Sequence, residues 1–159
     1  MGTRGFVGIR KKGVDKGGYN GSCSYPDGLG VSLLMFLKGQ TTETLENLYE
    51  TIKDDKESEE SEVWDWEENK FAECFSFDVD FLYDSLFCEY AYIINLDECV
   101  LEFYKGFNKN PKANGRYANN TVYRDENSYY GVALIDTIPL KDLLEGKVDI
   151  EKGVFLIKG

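Results

Sequence analysis

EYAYIINLDECVLEFY, Glu89 to Tyr104, is the stretch on which the fold turns. Glu89 to Leu96 is a strand-length run of aromatic and β-branched residues, Asp97 and Glu98 supply a turn, and Cys99 to Tyr104 returns as a second strand. Toward the N-terminus, Gly5–Arg10 (GFVGIR) is a further strand, and Lys11, Lys12 and Gly13 turn it into a hairpin partner over Val14–Tyr19. Toward the C-terminus, Asn108 to Ser128 is polar, contains Pro111 and Gly115, and reads as a long loop. Tyr129–Ile138 (YYGVALIDTI) is another strand, Pro139 opens a short helix over Leu140–Glu145, and Val154–Ile157 adds an edge strand.

Between the strands lie the helical signals. Asn20 to Gly30 (NGSCSYPDGLG) is a loop, and Val31–Leu37 is apolar all round, a buried helix closed by Gly39. Thr41 or Thr42 caps a second helix, whose Leu45, Leu48, Tyr49 and Ile52 follow the i, i+3, i+4, i+7 spacing of one buried face. Phe71–Phe87 is rich in aromatics and fits helix and strand equally. Strands at both ends with helices between predict a single α+β domain over residues 1–159: a mainly antiparallel sheet with two or three helices packed on one face. An acidic loop near residues 54–68 and the polar loop near 108–128 interrupt it.

Composition narrows the function. The 159 residues are 42% hydrophobic and 14% aromatic, enough to build a core without metal or disulfide help. No apolar run approaches the roughly 20 residues that span a bilayer, and no apolar leader precedes the first strand, so a soluble cytoplasmic protein without membrane association is expected. The chain has no histidine, which excludes Ser-His-Asp and Cys-His chemistry. An enzyme here would need a carboxylate, Lys, Tyr or the amino terminus as its base, and a non-enzymatic role is the better expectation. Cys23, Cys74, Cys88 and Cys99 show no metal-ligand spacing and are expected reduced and mostly buried. Asp78, Asp80, Asp84 and Glu89 resemble a calcium loop in composition, but Tyr83 stands where that loop needs glycine. No metal and no cofactor are expected.

The charge is lopsided. Of a net −11, the segment from Asp54 to Glu68 holds −8: Asp54, Asp55, Glu57, Glu59, Glu60, Glu62, Asp65, Glu67 and Glu68 against Lys56. Such a surface repels nucleic-acid phosphates, so direct DNA or RNA binding is not expected, and it attracts a basic protein. Trp64 and Trp66 lie within the segment, and tryptophan is a frequent interface anchor. Two readings fit: a solvated acidic loop whose indoles fold back on the domain, or an acidic-aromatic surface that docks on a basic partner.

Two groups of motifs carry a resemblance. MGTRGFVGIR with Tyr19–Asn20 and Ser24–Gly30 (SYPDGLG), together with EYAYIINLDECVLEFYKGFNK, GRYA and YYGVALIDTIPLKDLL, resembles a family of small uncharacterised bacterial and phage proteins with a TRG strand, a YN…SYPxGLG loop and a YAYxxxLD…LExYxGF hairpin. The resemblance implies a phage or mobile-element setting. It points the acidic surface toward inhibition of a host defence nuclease or effector, by imitation of nucleic-acid charge. The opening strand also resembles that of N-terminal nucleophile hydrolases, with Gly2 where their nucleophile stands and Thr3 beside it.

A second class of function starts from the glycine loop. Amides at a helix start suit anions, and Asn20, Ser22, Ser24, Tyr25, Gly28 and Gly30 are its candidate contacts, with Arg4 and Arg10 adding charge. Arg116 and Tyr117 in the polar loop supply a forked donor and a stacking ring. Such a site would sequester an anionic small molecule, a nucleotide for example. The plainer reading is a tight turn capped by Asp27 or Ser24.

Overall fold

A strand whose two alternating faces are both apolar is stable only between two covering layers. The strand Tyr90–Asn95 is of this kind, burying Ala91 and Ile93 on one face and Tyr92 and Ile94 on the other. In chain order the strands of the main sheet are β1 (Gly5–Lys11), β2 (Val14–Asn20), β3 (Tyr90–Asn95), β4 (Val100–Lys105) and β5 (Ala133–Pro139). They lie in the order β2-β1-β3-β4-β5. β1 and β3 run parallel, Gly5 opposite Tyr90 and Arg10 opposite Asn95, and every other neighbour pair is antiparallel. The structure is a computed structural model that describes residues 2–57, 62–119 and 129–158.

Three α-helices cover one face, as expected: α1 (Val31–Leu37), α2 (Thr42–Thr51) and α3 (Leu140–Leu144). Leu33, Leu37, Leu45, Tyr49, Leu140 and Leu143 pack there with Val7, Ile9, Tyr92, Ile94, Leu101 and Phe103. Each fully buried leucine contributes about 1.5–3 kcal/mol. α1 is not apolar toward protein on every side, because Met35 is 65% exposed. Gly39, at φ +90°, follows α1 in a conformation that side-chain-bearing residues avoid. Thr41 then begins α2 through a reciprocal cap, its Oγ1 accepting from the Thr44 amide at 3.1 Å and Thr44 Oγ1 accepting from the Thr41 amide at 2.9 Å. Thr41→Ala is expected to lower stability by about 1 kcal/mol in urea unfolding.

Val154–Ile157 does not extend the main sheet. It pairs with Val148–Glu151 in a separate hairpin of β6 (Val148–Glu151) and β7 (Val154–Ile157), docked by Phe155 against Phe103 at 5.3 Å between ring centroids. The β5 strand begins at Ala133, four residues later than the apolar run that announced it.

The opposite sheet face carries Phe6, Ala91, Ile93 and Tyr104 under Leu82, Tyr117, Ala118 and Val132. Leu82 comes from a 3-10 turn, Val79–Tyr83, and Tyr117 and Ala118 from the polar loop, whose residues 120–128 lie outside the described residues. Gly17 admits the Phe6 ring onto the sheet, since a Cβ there would lie 2.5 Å from Phe6 Cζ. Phe71–Phe87 is neither helix nor strand throughout: Lys70–Phe71 and Cys74–Phe75 make two-residue ladders before the 3-10 turn. Cys88 alone of the four cysteines is buried, and Cys23, Cys74 and Cys99 are exposed, a correction to the expected burial.

Both edges of the main sheet are guarded. On β2, the Tyr19 and Gly17 carbonyls accept from the amides of Val63 and Asp78. On β5, the register slips by a bulge opposite Phe103 and Tyr104, and Asp136 accepts from the Thr137 amide at 2.9 Å.

Candidate functional site

The described parts of the acidic segment, 54–57 and 62–68, are folded onto the domain rather than being only a loop. Lys53–Asp54 pairs with Cys74–Phe75, and Trp64–Asp65 with Lys70–Phe71. Its carboxylates bind backbone amides: Asp54 accepts from Phe77 at 2.9 Å, Asp55 from Glu57 at 3.2 Å, Glu62 from Gly21 at 2.7 Å, and Asp65 from Glu67 at 3.0 Å and Glu68 at 3.1 Å. Among the described residues no carboxylate of the segment pairs with a lysine or arginine. Glu59 and Glu60 lie outside the described residues.

The two tryptophans part company. Trp64 is 3% exposed and packs edge-on to Phe36 and Phe71 at 5.7 and 5.4 Å. Trp66 is 39% exposed, and its Nε1 donates to Asn20 Oδ1 at 3.3 Å. Of the pair, only Trp66 offers ring surface to a partner.

The glycine loop is built for self-support. Asn20 and Ser24 are fully buried; Asn20 Nδ2 donates to the Ser22 carbonyl at 2.7 Å and to Ser24 Oγ at 2.8 Å. Tyr92 donates its hydroxyl to the Ser24 carbonyl at 2.8 Å. Pro26–Gly30 forms a single π-type turn that runs directly into α1, and the amides of Gly28, Leu29 and Gly30 are bonded to the carbonyls of Tyr25 and Cys23. No side chain caps this turn. The amides expected to receive an anion are therefore already engaged, Gly30 is buried, and Asn20 and Ser24 face each other. Ser22 and Tyr25 remain exposed and Gly28 half-buried.

The candidate ligand residues do not converge. Arg4 sits over the Phe87 ring at 5.3 Å, and its amide donates to Glu89. Arg10 pairs with Asp15 at 3.0 Å on the opposite end of the β1–β2 hairpin. Asp15 and Asn20 are five residues apart along β2, roughly 17 Å.

Arg10, Arg116 and Tyr117 do come together, on partners the sequence did not single out. Arg116 grips Glu102 with both terminal nitrogens, at 2.8 and 2.6 Å, and reaches Asp15 at 3.9 Å. Tyr117 donates its hydroxyl to Asp15, Tyr104 donates to Glu102 at 2.9 Å, and Asn95 donates to Glu102 at 3.1 Å. Burial alone would raise the Glu102 pKa, but the bonds from Arg116, Asn95 and Tyr104 more than reverse this and leave it below the ordinary glutamate value. Burial also opposes charge on Arg116, which its bond to Glu102 overcomes, so its pKa rises. Tyr117 is raised by burial and then by Asp15, and Tyr104 by burial and then by Glu102. Two cations balance two anions, and the shifts keep Glu102 ionised and Arg116, Tyr104 and Tyr117 protonated. This cluster ties the hairpin, β4 and the polar loop together.

Thr3, the residue beside the absent nucleophile, is 2% exposed and its hydroxyl has no hydrogen-bond partner among the described residues. It is closed to a substrate. Among the described residues no three Cys, Asp or Glu side chains gather as a metal would require, and no helix is long and apolar enough to cross a membrane.

A cleft of about 630 Å³ lies beside the loop, lined by Cys23, Tyr25, Asp27, Gly28, Tyr90, Phe103, Lys105, Ile135 and Lys152. Of these, only Tyr25 and Gly28 were anticipated. No family model matches the chain, and neither does any curated protein or solved structure compared with it.

Proposed function

We propose that this is a non-enzymatic binding protein that docks on a basic surface of another protein through its acidic segment. One observation carries the reading: Asp54, Asp55, Glu62 and Asp65 are held by backbone amides, and among the described residues no cation pairs with any carboxylate of the segment, so its negative charge is left unneutralised. Arg10 and Arg116, by contrast, are neutralised inside the cluster. Anchoring lowers the ordering cost of association, and the half-exposed Trp66 supplies an aromatic anchor amid the charge. The partner fitted by such a surface is one that ordinarily holds nucleic-acid phosphates. The phage setting implied by the motif likeness makes a host defence nuclease the candidate, inhibited by occupation of its basic groove.

The test is binding to a panel of basic nucleases, with their cleavage rates measured alongside. At least one should bind, lose affinity steeply with salt and cut more slowly in the complex. The double charge reversal Glu67→Lys/Glu68→Lys should weaken that binding by about tenfold or more, chiefly through a slower association rate. A panel that shows neither binding nor slowed cleavage, or binding indifferent to the charge reversal, overturns the proposal.

A further inference from the structure

We infer that the cleft beside Tyr25 is a binding site for a small molecule made of a planar aromatic ring bearing a phosphate or carboxylate. This is independent of the acidic segment.

Five separate pieces of chain meet there. The floor is Tyr90 and Phe103, whose rings lie 6° from parallel with centroids 6.0 Å apart across β3 and β4. Tyr25 stands at the wall, 5.8 Å from Tyr90 and 54% exposed. An exposed tyrosine is normally free to turn, but the buried Asn20–Ser24–Tyr92 network and buried Pro26 fix the backbone on either side of it. Ile135 forms the opposite wall. It is 55% exposed on β5, and it is the residue left without a partner where the register slips between Phe103 and Tyr104. Bulges re-aim side chains in this way. Lys152, held at φ +53° in the β6–β7 turn, and Lys105, at the end of β4, complete the lining.

The lining specifies the chemistry. Tyr25 and Tyr90 offer ring faces for stacking, and Ile135 an apolar contact for a ring edge. Two lysines in the lining suit an anionic substituent, and Asp27, the one carboxylate among its described residues, suits a ring amino group. The size falls in the range of small-molecule sites. A nucleoside monophosphate has all three features. An aromatic carboxylate has the first two.

Calorimetry on the full chain with adenosine monophosphate, with indole-3-carboxylate and with inorganic phosphate tests this. Heat is expected with at least one ring compound, and which of the two is tighter identifies the anion; inorganic phosphate alone should bind far more weakly. Tyr25→Ala and Lys105→Glu/Lys152→Glu, all at exposed positions, should each weaken binding by about tenfold, while Glu67→Gln/Glu68→Gln in the acidic segment leaves it unchanged. Cys23 gives a second reading: bound ligand should slow its alkylation but not that of the exposed Cys74 and Cys99. Absence of heat with both ring compounds at millimolar concentration, phosphate binding as tight as either, or binding indifferent to the Tyr25 and lysine variants overturns the inference.

Discussion

Trp64→Ala is expected to be the most damaging single change in the acidic segment, lowering stability by about 3–5 kcal/mol. The indole is almost fully enclosed and meets Phe36 and Phe71 edge-on, so its removal leaves a large cavity between α1 and the segment. Its Nε1 is buried without a hydrogen-bond partner among the described residues. A phenylalanine keeps most of the ring contact and removes that stranded donor, so Trp64→Phe should cost far less than the alanine change. Trp66→Ala should cost about 1–1.5 kcal/mol, the worth of one part-buried hydrogen bond and a partly covered ring. Urea unfolding followed by circular dichroism ranks the three. If Trp66→Ala destabilises as much as Trp64→Ala, the division of labour between anchor and presented ring is wrong. If the division holds, binding to a basic partner should depend on Trp66 in a protein whose fold does not.

The second large effect is predicted for the ionic cluster. Arg116→Ala strands Glu102, a side chain 6% exposed, in a site made for an ion pair. Breaking a buried pair typically costs 3–5 kcal/mol, and the 30% exposure of Arg116 lets water reach the gap, so a loss of about 3 kcal/mol is expected. Acidity supplies the control. In the native protein the Glu102 pKa is depressed, so its contribution is present above the unfolded glutamate pKa of about 4.3 and is lost as pH falls through the lower folded value. Without Arg116, burial is opposed only by the bonds from Asn95 and Tyr104, so the folded pKa rises. The variant's deficit is then full above that raised value and fades as Glu102 takes up a proton. Unfolding curves of the two proteins should therefore draw together as pH drops below about 4. A gap that stays constant across this range would mean that the lost stability comes from packing of the arginine stem instead.

How much of this was legible in the chain depended on periodicity. α2 declared itself because Leu45, Leu48, Tyr49 and Ile52 keep a helical stripe, and β3–β4 because two apolar runs flank Asp97 and Glu98. Phe71–Phe87 was ambiguous because its ladders are two residues long, too short for any period to show. Spacing of two would set Trp64 and Trp66 on one face of a strand, but the strand ends at Asp65 and the chain turns, so one ring goes inward and the other out. Arg10, Arg116 and Tyr117 were noticed for their donors, yet the acceptors were missed. Glu102 was in view all along: a carboxylate within the apolar run VLEFY, alternating with Leu101 and Phe103, must face the interior opposite them and needs a cation there. Asp15 was missed because a Lys11–Gly13 turn would set it against Ile9, whereas the strand runs on through Lys11 and the shorter Lys12–Gly13 turn pairs Asp15 with Arg10. The ligand cleft had no such local signature, because its walls are contributed by loop, bulge and a distant hairpin turn.

The parallel junction of β1 with β3 has a consequence for how the molecule is made. Joining Gly5 to Tyr90 closes a long span of chain, an entropic debt of about 4 kcal/mol before any docked neighbour repays it. During synthesis the first hairpin emerges early with its inner strand bare, and its proper neighbour follows only after more than half the polypeptide has left the ribosome. Until then that strand is an open template for misassembly, so the nascent protein matures late, as one event, when the middle of its sheet arrives.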